Sequence, residues 1–154
     1  AKINLRSNHG DTALKLCCCN GLDSIAKILL DHGADIYLSD IEGCSPLYNA
    51  AQNGHDSIVE LLLDNGADLN LYSKYGYGAL YVAIQKGHDK VAQALLKRGA
   101  DINLCSKYGD TPLNIASNNG HKSMVQLLLD HGAKVNFCGQ NKTSPLAEAC
   151  KTWT

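Results

Sequence analysis

The sequence has no excess of charge of either sign, few aromatic residues and no long apolar run, and each absence excludes a class of protein. Its 154 residues carry 14 basic and 15 acidic side chains, for a formal net charge of −1. The chain as a whole is therefore not attracted to nucleic-acid phosphates or to anionic lipid. No apolar run approaches the roughly 20 residues that span a bilayer. The N-terminal residues have neither a secretory nor a transit-peptide pattern.

Cysteines and catalytic motifs give no sign of a disulfide scaffold or an enzyme. The seven cysteines are odd in number and sparse for a disulfide framework, which predicts a reducing compartment. Cys17, Cys18 and Cys19 are consecutive, and successive helical residues point about 100° apart, so they cannot chelate one metal together. The sequence has no phosphate-binding Gly-x4-Gly-Lys-Ser/Thr loop and no Gly-x-Ser-x-Gly motif. We therefore expect no catalysis, no metal site and no cofactor.

What the sequence does contain is a period of 33 residues, the signature of a repeat protein. The period is carried by Gly-Ala pairs, by Leu-Leu pairs and above all by three columns of glycine. These columns are Gly10, Gly43, Gly76 and Gly109; Gly21, Gly54, Gly87 and Gly120; and Gly33, Gly66, Gly99 and Gly132. Agreement over four periods at this many positions predicts a stack of similar units.

One period, residues 43–75, predicts two helices and a turn. Ser45 can cap a helix and Pro46 suits its first turn, while Asn53-Gly54 ends it. A second helix follows with a broad apolar face over residues 58–63 and ends near Gly66. Residues 73–76 then turn the chain back. One such unit cannot bury both its faces, so neighbouring units must stack.

The motifs Ser45-Pro46-Leu47, Thr111-Pro112-Leu113 and Ser144-Pro145-Leu146, with Gly-His at 54–55, 87–88 and 120–121, resemble the ankyrin repeat. The resemblance covers essentially the whole chain. It implies an all-α solenoid of helix–turn–helix pairs with projecting β-turn or hairpin loops. It also implies one domain over residues 1–154, with full repeats at about 10–42, 43–75, 76–108 and 109–141 and partial repeats at 1–9 and 142–154. We expect the chain to be a fragment of a longer one.

Two departures from the family pattern stand out. The family has His in the fourth place of Thr-Pro-Leu-His, and this sequence has Lys15, Tyr48, Tyr81, Asn114 and Ala147 there. The third repeat has Gly78-Ala79 in place of the capping Thr-Pro, which removes a helix cap. The usual contacts of the missing histidines are therefore in question.

The resemblance implies a protein-protein interaction module that binds its partner on a concave face of turn tips and first helices. Aromatic residues are few, and five of the seven tyrosines lie between positions 72 and 108. Tyr offers a large rigid area with a polar end, as binding hot spots do. The candidate protein-binding residues are His9, Asp11, Ile41, Glu42, Cys44, Gln52, Tyr75, Tyr77, Gln85, Lys86, Tyr108, Asp110, Asn118 and Asn119.

Charge is distributed unevenly among the repeats. Residues 10–42 carry six acidic and two basic residues, and residues 43–75 carry four and one. Residues 76–108 reverse this, with two acidic and five basic residues. Such polarity can orient a partner, although an ordinary solvated surface accounts for it equally well.

Two alternatives to a binding scaffold remain open from the sequence. Tyr75, Tyr77 and Tyr108 with nearby lysines could stack a nucleotide or another small phosphorylated ligand. The chain could also be an elastic or spacer segment of a longer array. Asn70, Asn103 and Asn136 match a position that the family resemblance marks for hydroxylation. We expect a monomer that binds protein but neither nucleic acid nor membrane, inside the cell, in the cytoplasm or the nucleus.

Overall fold

The computed structural model describes residues 1–135, which form a stack of four helix pairs. The partial repeat at 142–154, and Asn136, lie outside the described residues. The first helices of the four pairs are α1 (Ala13–Asn20), α3 (Pro46–Gln52), α5 (Ala79–Lys86) and α7 (Pro112–Asn118). The second helices are α2 (Asp23–Asp31), α4 (Asp56–Asp64), α6 (Asp89–Lys97) and α8 (Lys122–Asp130). Residues 1–135 contain no strand, so the all-α solenoid expected from the sequence is confirmed.

The helix ends follow the chemistry that the sequence predicts. The hydroxyls of Thr12, Ser45 and Thr111 each accept a hydrogen bond from the backbone N–H three residues on and so cap α1, α3 and α7. Gly78 stands at the same position of α5 and offers no side-chain cap. Gly87 ends α5 with φ of 75°, in the left-handed region that glycine adopts without strain.

The first helices form an inner row and the second helices an outer row. Ala50 and Ala51 of α3 are fully buried, since the neighbouring first helices approach closely there. Cys17 and Cys18 are buried at the equivalent positions of α1. Neighbouring first helices contact one another more extensively than neighbouring second helices do. The inner row is therefore the tighter side of the stack, and the turns project beyond it.

The turns of successive repeats are joined by single backbone hydrogen bonds. The N–H of Ile41 donates to the carbonyl of His9, that of Lys74 to Glu42, and that of Lys107 to Tyr75, at 3.3, 2.9 and 3.0 Å. A Cβ at the turn glycine Gly76 (φ 78°) would lie 2.7 Å from the nitrogen of Lys107. Glycine at this column therefore supplies both the left-handed conformation and the room for the next turn. The stretch between α4 and the turn at 73–76 includes a further turn at 69–70.

The histidines of the Gly-His pairs tie each repeat to the preceding one. His55 Nε2 lies 3.2 Å from the carbonyl oxygen of Cys19, and His88 Nε2 lies 3.1 Å from that of Gln52. A Cβ at Gly54 would lie 2.6 Å from the His88 ring. Glycine is therefore needed where the next repeat's ring packs. The histidines of the Gly-His pairs are thus part of the packing between repeats.

The first repeat presents an apolar face where the other repeats are covered by a neighbour. Ile25 of α2 is 49% exposed, whereas Ile58, Val91 and Met124 at the same column are at most 1% exposed. Leu16 and Ile28 are exposed on the same side. The apolar residue of this column is thus exposed only in the first of these four repeats, because no described helix packs against that side of α2.

Candidate protein-binding surface

The turns place the predicted tip residues on one continuous surface. We call this the tip surface, and it comprises residues 8–11, 41–44, 74–77 and 107–110. Of the fourteen candidate residues, eight are exposed: His9, Ile41, Tyr75, Gln85, Lys86, Tyr108, Asn118 and Asn119. The other six are half-buried: Asp11, Glu42, Cys44, Gln52, Tyr77 and Asp110. All of them lie in the described part of the chain.

Lys15 replaces the family's histidine in the first repeat with an ion-pair bridge between turns. Its ammonium lies 2.5 Å from the carboxylate of Asp11 and 2.6 Å from that of Asp40 in the next turn. Burial acts against the charged form, but the hydrogen bonds to Asp11 and Asp40 raise the pKa of Lys15 above its ordinary value. The hydrogen bond from Lys15 lowers the pKa of Asp11. For Asp40, burial is outweighed by that bond and by the N–H groups of Cys44 and Glu42, so its pKa is lowered as well.

The second repeat has Cys44 and Tyr48 at the positions of Asp11 and Lys15, and the two side chains interact. Tyr48 is buried, as the sequence favoured for this column. Burial raises the pKa of Tyr48 to about 12 and that of the Cys44 thiol to about 11. Cys44 is therefore a protonated, half-buried packing residue at neutral pH rather than a reactive thiol.

The third repeat places a tyrosine at both positions, and the rings stack. Tyr77 and Tyr81 have ring centroids 4.5 Å apart with an angle of 21° between their planes. Tyr75 and Tyr108 lie on either side of Tyr77, at 6.2 and 6.4 Å and tilted by about 40°. We call these four residues the tyrosine cluster. Tyr81 is buried, while Tyr75 and Tyr108 are 40% and 49% exposed. The structure thus brings together the three tyrosines that the sequence selected, and adds Tyr81 as their support.

Burial and nearby charge act on the hydroxyl groups of the cluster. Desolvation, with contributions from Tyr108 and Asp110, raises the pKa of Tyr77. Desolvation also raises the pKa of Tyr81, again with a contribution from Asp110. The hydroxyls of Tyr77 and Tyr81 are therefore neutral at physiological pH.

Lys74 and Glu42 border the cluster on the side of the second repeat. Their charged groups lie 2.5 Å apart, and the Lys74 ammonium is 5.1 Å from the centroid of the Tyr75 ring. Both side chains are about half exposed, so the pair contributes little to stability. Its effect is to hold a cation over one face of Tyr75. Ile41, 64% exposed, lies on the preceding turn.

The missing cap of α5 has a cause that sequence reasoning did not find. A Cβ at Gly78 would lie 2.9 Å from the ring of Tyr72, which therefore occupies the space of a side chain at that position. Tyr72 also donates a hydrogen bond to Asn70 Oδ1 at 3.2 Å. The absence of a capping side chain at position 78 is thus explained by the ring of Tyr72, which fills the space that such a side chain would need. The signal in the sequence was their joint occurrence in the third repeat.

The inner-helix candidates are used in part by the scaffold. The backbone carbonyl of Gln52 accepts a hydrogen bond from the ring of His88 in the next repeat. The backbone carbonyl of Gln85 accepts one from the side-chain amide of Asn119. Asn119 is therefore both exposed and engaged between repeats. Asn103 accepts a hydrogen bond from the N–H of Lys134 through Oδ1, which suits the turn role considered for this column.

Neither a metal site nor a membrane span is found among residues 1–135. No three His, Cys, Asp or Glu side chains of this part of the chain are grouped so that they could hold a metal ion. None of its helices has the length and apolar character needed to cross a bilayer. The five cysteines in these residues are free thiols.

Comparison with known families agrees with the geometry of the helix pairs. A family model for three copies of the ankyrin repeat matches residues 33–105 and 99–152, and a model for a single ankyrin repeat matches residues 9–41. The chain belongs to the ankyrin-repeat family. Ankyrin repeats are generic protein-protein interaction modules.

A human protein, BCL-6 corepressor-like protein 1, is similar to part of this ankyrin-repeat chain. The two are 42% identical over 48 residues, which is 31% of this chain. The matched segment spans only 3% of the length of the human protein. The similarity therefore concerns the repeat unit and not the whole of that protein.

Proposed function

We propose that this ankyrin-repeat domain is a non-catalytic module that binds another protein through its tip surface, with the tyrosine cluster as the anchor. The observation that supports this proposal is the arrangement of Tyr75, Tyr77 and Tyr108. Two exposed rings flank a third that is fixed by stacking on buried Tyr81. Rigid aromatic side chains lose little conformational entropy on binding, which is why they dominate interface energetics.

The remaining parts of the surface supply complementarity in this proposal. Ile41 extends the apolar area toward the second repeat, and the exposed polar columns of Gln85, Asn118 and Asn119 satisfy polar groups of the partner. The side chains of Asp11 and Asp40 are tied to Lys15, so they shape the surface more than they bind. The proposal includes a monomeric domain inside the cell, in the cytoplasm or the nucleus. The similarity to a protein named as a corepressor accords with a binding role.

The experiment is affinity capture from source lysate followed by mass spectrometry. Wild type is compared with the triple variant Tyr75→Ala, Tyr77→Ala, Tyr108→Ala. The matched control is Leu16→Ala, Ile25→Ala, Ile28→Ala, which removes as many exposed apolar side chains from the first repeat. Circular dichroism checks that all three proteins are folded.

The expected result is a protein captured by wild type and by the control but lost from the tyrosine variant. Capture by all three would move the site to another face. Loss from the control alone would place it on the first repeat. Failure of wild type to capture any protein would favour the spacer alternative. Thermal stabilisation of wild type by ATP or GTP, absent from the tyrosine variant, would favour the nucleotide alternative.

A further inference from the structure

The charges around the tyrosine cluster restrict the chemistry of the segment that can bind there. Three carboxylates of the tip region already have cationic partners within the domain. Asp11 and Asp40 share Lys15, and Glu42 is paired with Lys74. Two lysines thus offset three carboxylates, which leaves a net charge of −1 on this group and only a weak attraction for a partner's cation.

Lys107 differs from these charges. It is exposed and takes part in no ion pair with residues 1–135. Its backbone N–H donates to the carbonyl of Tyr75, and the next residue in the chain is Tyr108. The backbone of Lys107 is thus held beside Tyr75 and is followed directly by Tyr108, so this cation belongs to the same turn as one exposed ring and is hydrogen-bonded to the turn that carries the other. Lys86, at the end of α5, is likewise exposed and outside any ion pair of the described residues.

Arg98, on the outer face of the third repeat, does not share this property. Arg98 lies 3.1 Å from Glu60 and 2.6 Å from Asp64 on α4. The excess positive charge of residues 76–108 is therefore compensated in part on the outer row. Lys107 belongs instead to the tip surface, next in sequence to the exposed Tyr108.

Resting on the proposed function, we propose that the tip surface of the third and fourth repeats recognises an acidic peptide segment containing a large apolar side chain. The apolar side chain packs on Tyr75, Tyr77 and Tyr108, and a carboxylate of the segment pairs with Lys107. Such a rim charge steers association and selects the sign of the partner's charge more than it adds to affinity. The rings lie on an open surface, whereas small molecules are held in concave sites that enclose most of their area. An acidic peptide therefore fits better than a free phosphorylated ligand.

The test is selection of peptides from a phage-displayed library of random dodecapeptides on the immobilised full chain. Four proteins are compared: wild type, the tyrosine triple variant, Lys107→Glu, and the control Lys90→Glu. Lys90 is exposed on α6, away from the turns. Enriched peptides are sequenced for net charge and apolar content. One is then titrated by fluorescence anisotropy at low and high salt.

We expect wild type and Lys90→Glu to enrich peptides with a net negative charge and an aromatic or aliphatic residue. Lys107→Glu should enrich neutral or basic peptides and weaken binding of a wild-type-selected peptide by about fivefold. That loss should diminish at high salt, because the contact is exposed.

Two results would overturn the inference in different ways. Wild type and Lys107→Glu enriching the same neutral or basic peptides would refute the acidic partner and leave the tip surface as a binding site. Equal enrichment by wild type and the tyrosine variant, or no enrichment by wild type, would also refute the proposed function.

Discussion

The first and third repeats have the same backbone and opposite chemistry at the same columns. In the first, Lys15 bridges the carboxylates of Asp11 and Asp40, whereas in the third, Tyr81 supports the ring of Tyr77. Thr12 caps α1, while α5 begins at a glycine. Both repeats also reach the next turn: Lys15 pairs with Asp40, and the ring of Tyr77 lies 6.4 Å from that of Tyr108. At the fourth place of the motif, therefore, the first repeat of this chain has a residue that forms ion pairs and the third has a residue that stacks on a neighbouring ring.

The largest expected difference in stability between the two repeats is at equivalent positions of their second helices. Val91→Asp places a carboxylate at a position that is 1% exposed and should destabilise the domain by more than about 3 kcal/mol. Ile25→Asp, at the equivalent exposed position, should cost less than about 1 kcal/mol. Urea denaturation followed by circular dichroism measures both. Equal losses would show that the face of the first repeat is buried in solution.

The next largest effect on stability is expected from removing the stacked ring of Tyr81 in the third repeat. Tyr81→Ala removes a buried ring and should lower the free energy of unfolding by about 3 kcal/mol. Tyr81→Phe keeps the ring stacked on Tyr77 and should cost less than about 1 kcal/mol. The measurement is again urea denaturation of each variant. If the two substitutions cost the same, the hydroxyl and not the stacked ring would be the stabilising group.

The ion pairs of Lys15 in the first repeat should contribute less to stability, and their contribution should depend on pH. Lys15→Gln leaves two half-buried carboxylates facing each other and should cost about 2 kcal/mol at pH 7. The pKa values of Asp11 and Asp40 are lowered in the folded state, so the stabilisation is present above the ordinary Asp pKa near 4. It is lost as the pH falls through the lowered values.

Thermal denaturation of wild type and Lys15→Gln between pH 7 and pH 2.5 tests this dependence. The difference in stability should be constant near neutral pH and shrink below about pH 4. Lys27→Gln, an exposed site on α2, is the matched control and should differ from wild type by less than about 0.5 kcal/mol throughout. A Lys15→Gln difference that did not change with pH would refute the ion-pair account.

The smallest effect concerns the cap that the third repeat lacks. Gly78→Thr alone should not stabilise the domain, because its Cβ would meet the ring of Tyr72. In the Tyr72→Ala background the same substitution should become favourable by about 1 kcal/mol relative to its effect in wild type, since the cap can then form. A double-mutant cycle measures this coupling. Additive effects would show that Tyr72 is not the reason for the glycine.

The helix pairs could be predicted closely because their signals are local. The caps at Ser45 and Thr111 depend on residues within one turn of helix, and the period of 33 residues fixes where the pattern repeats. The Lys15 bridge was missed, since Asp40 lies 25 residues away and only stacking brings it within reach. The reason for Gly78 was missed likewise, because it depends on the position of the Tyr72 ring.

The candidate binding site was likewise predictable from the sequence only in part. The concentration of tyrosines in the third repeat was visible in the sequence, and the structure placed Tyr75, Tyr77 and Tyr108 together. The stacking of Tyr81 on Tyr77 depends on how the turn packs against α5, and the pairing of Lys74 with Glu42 depends on contacts between repeats. Neither could be read from the sequence, nor could the absence of an ion pair at Lys107 within residues 1–135. The sequence by itself determined the unit, its caps and its number, since these depend on periodicity and short-range chemistry. The tertiary structure decided which side chains are paired and which are available to a partner, because pairing depends on how one repeat packs against the next.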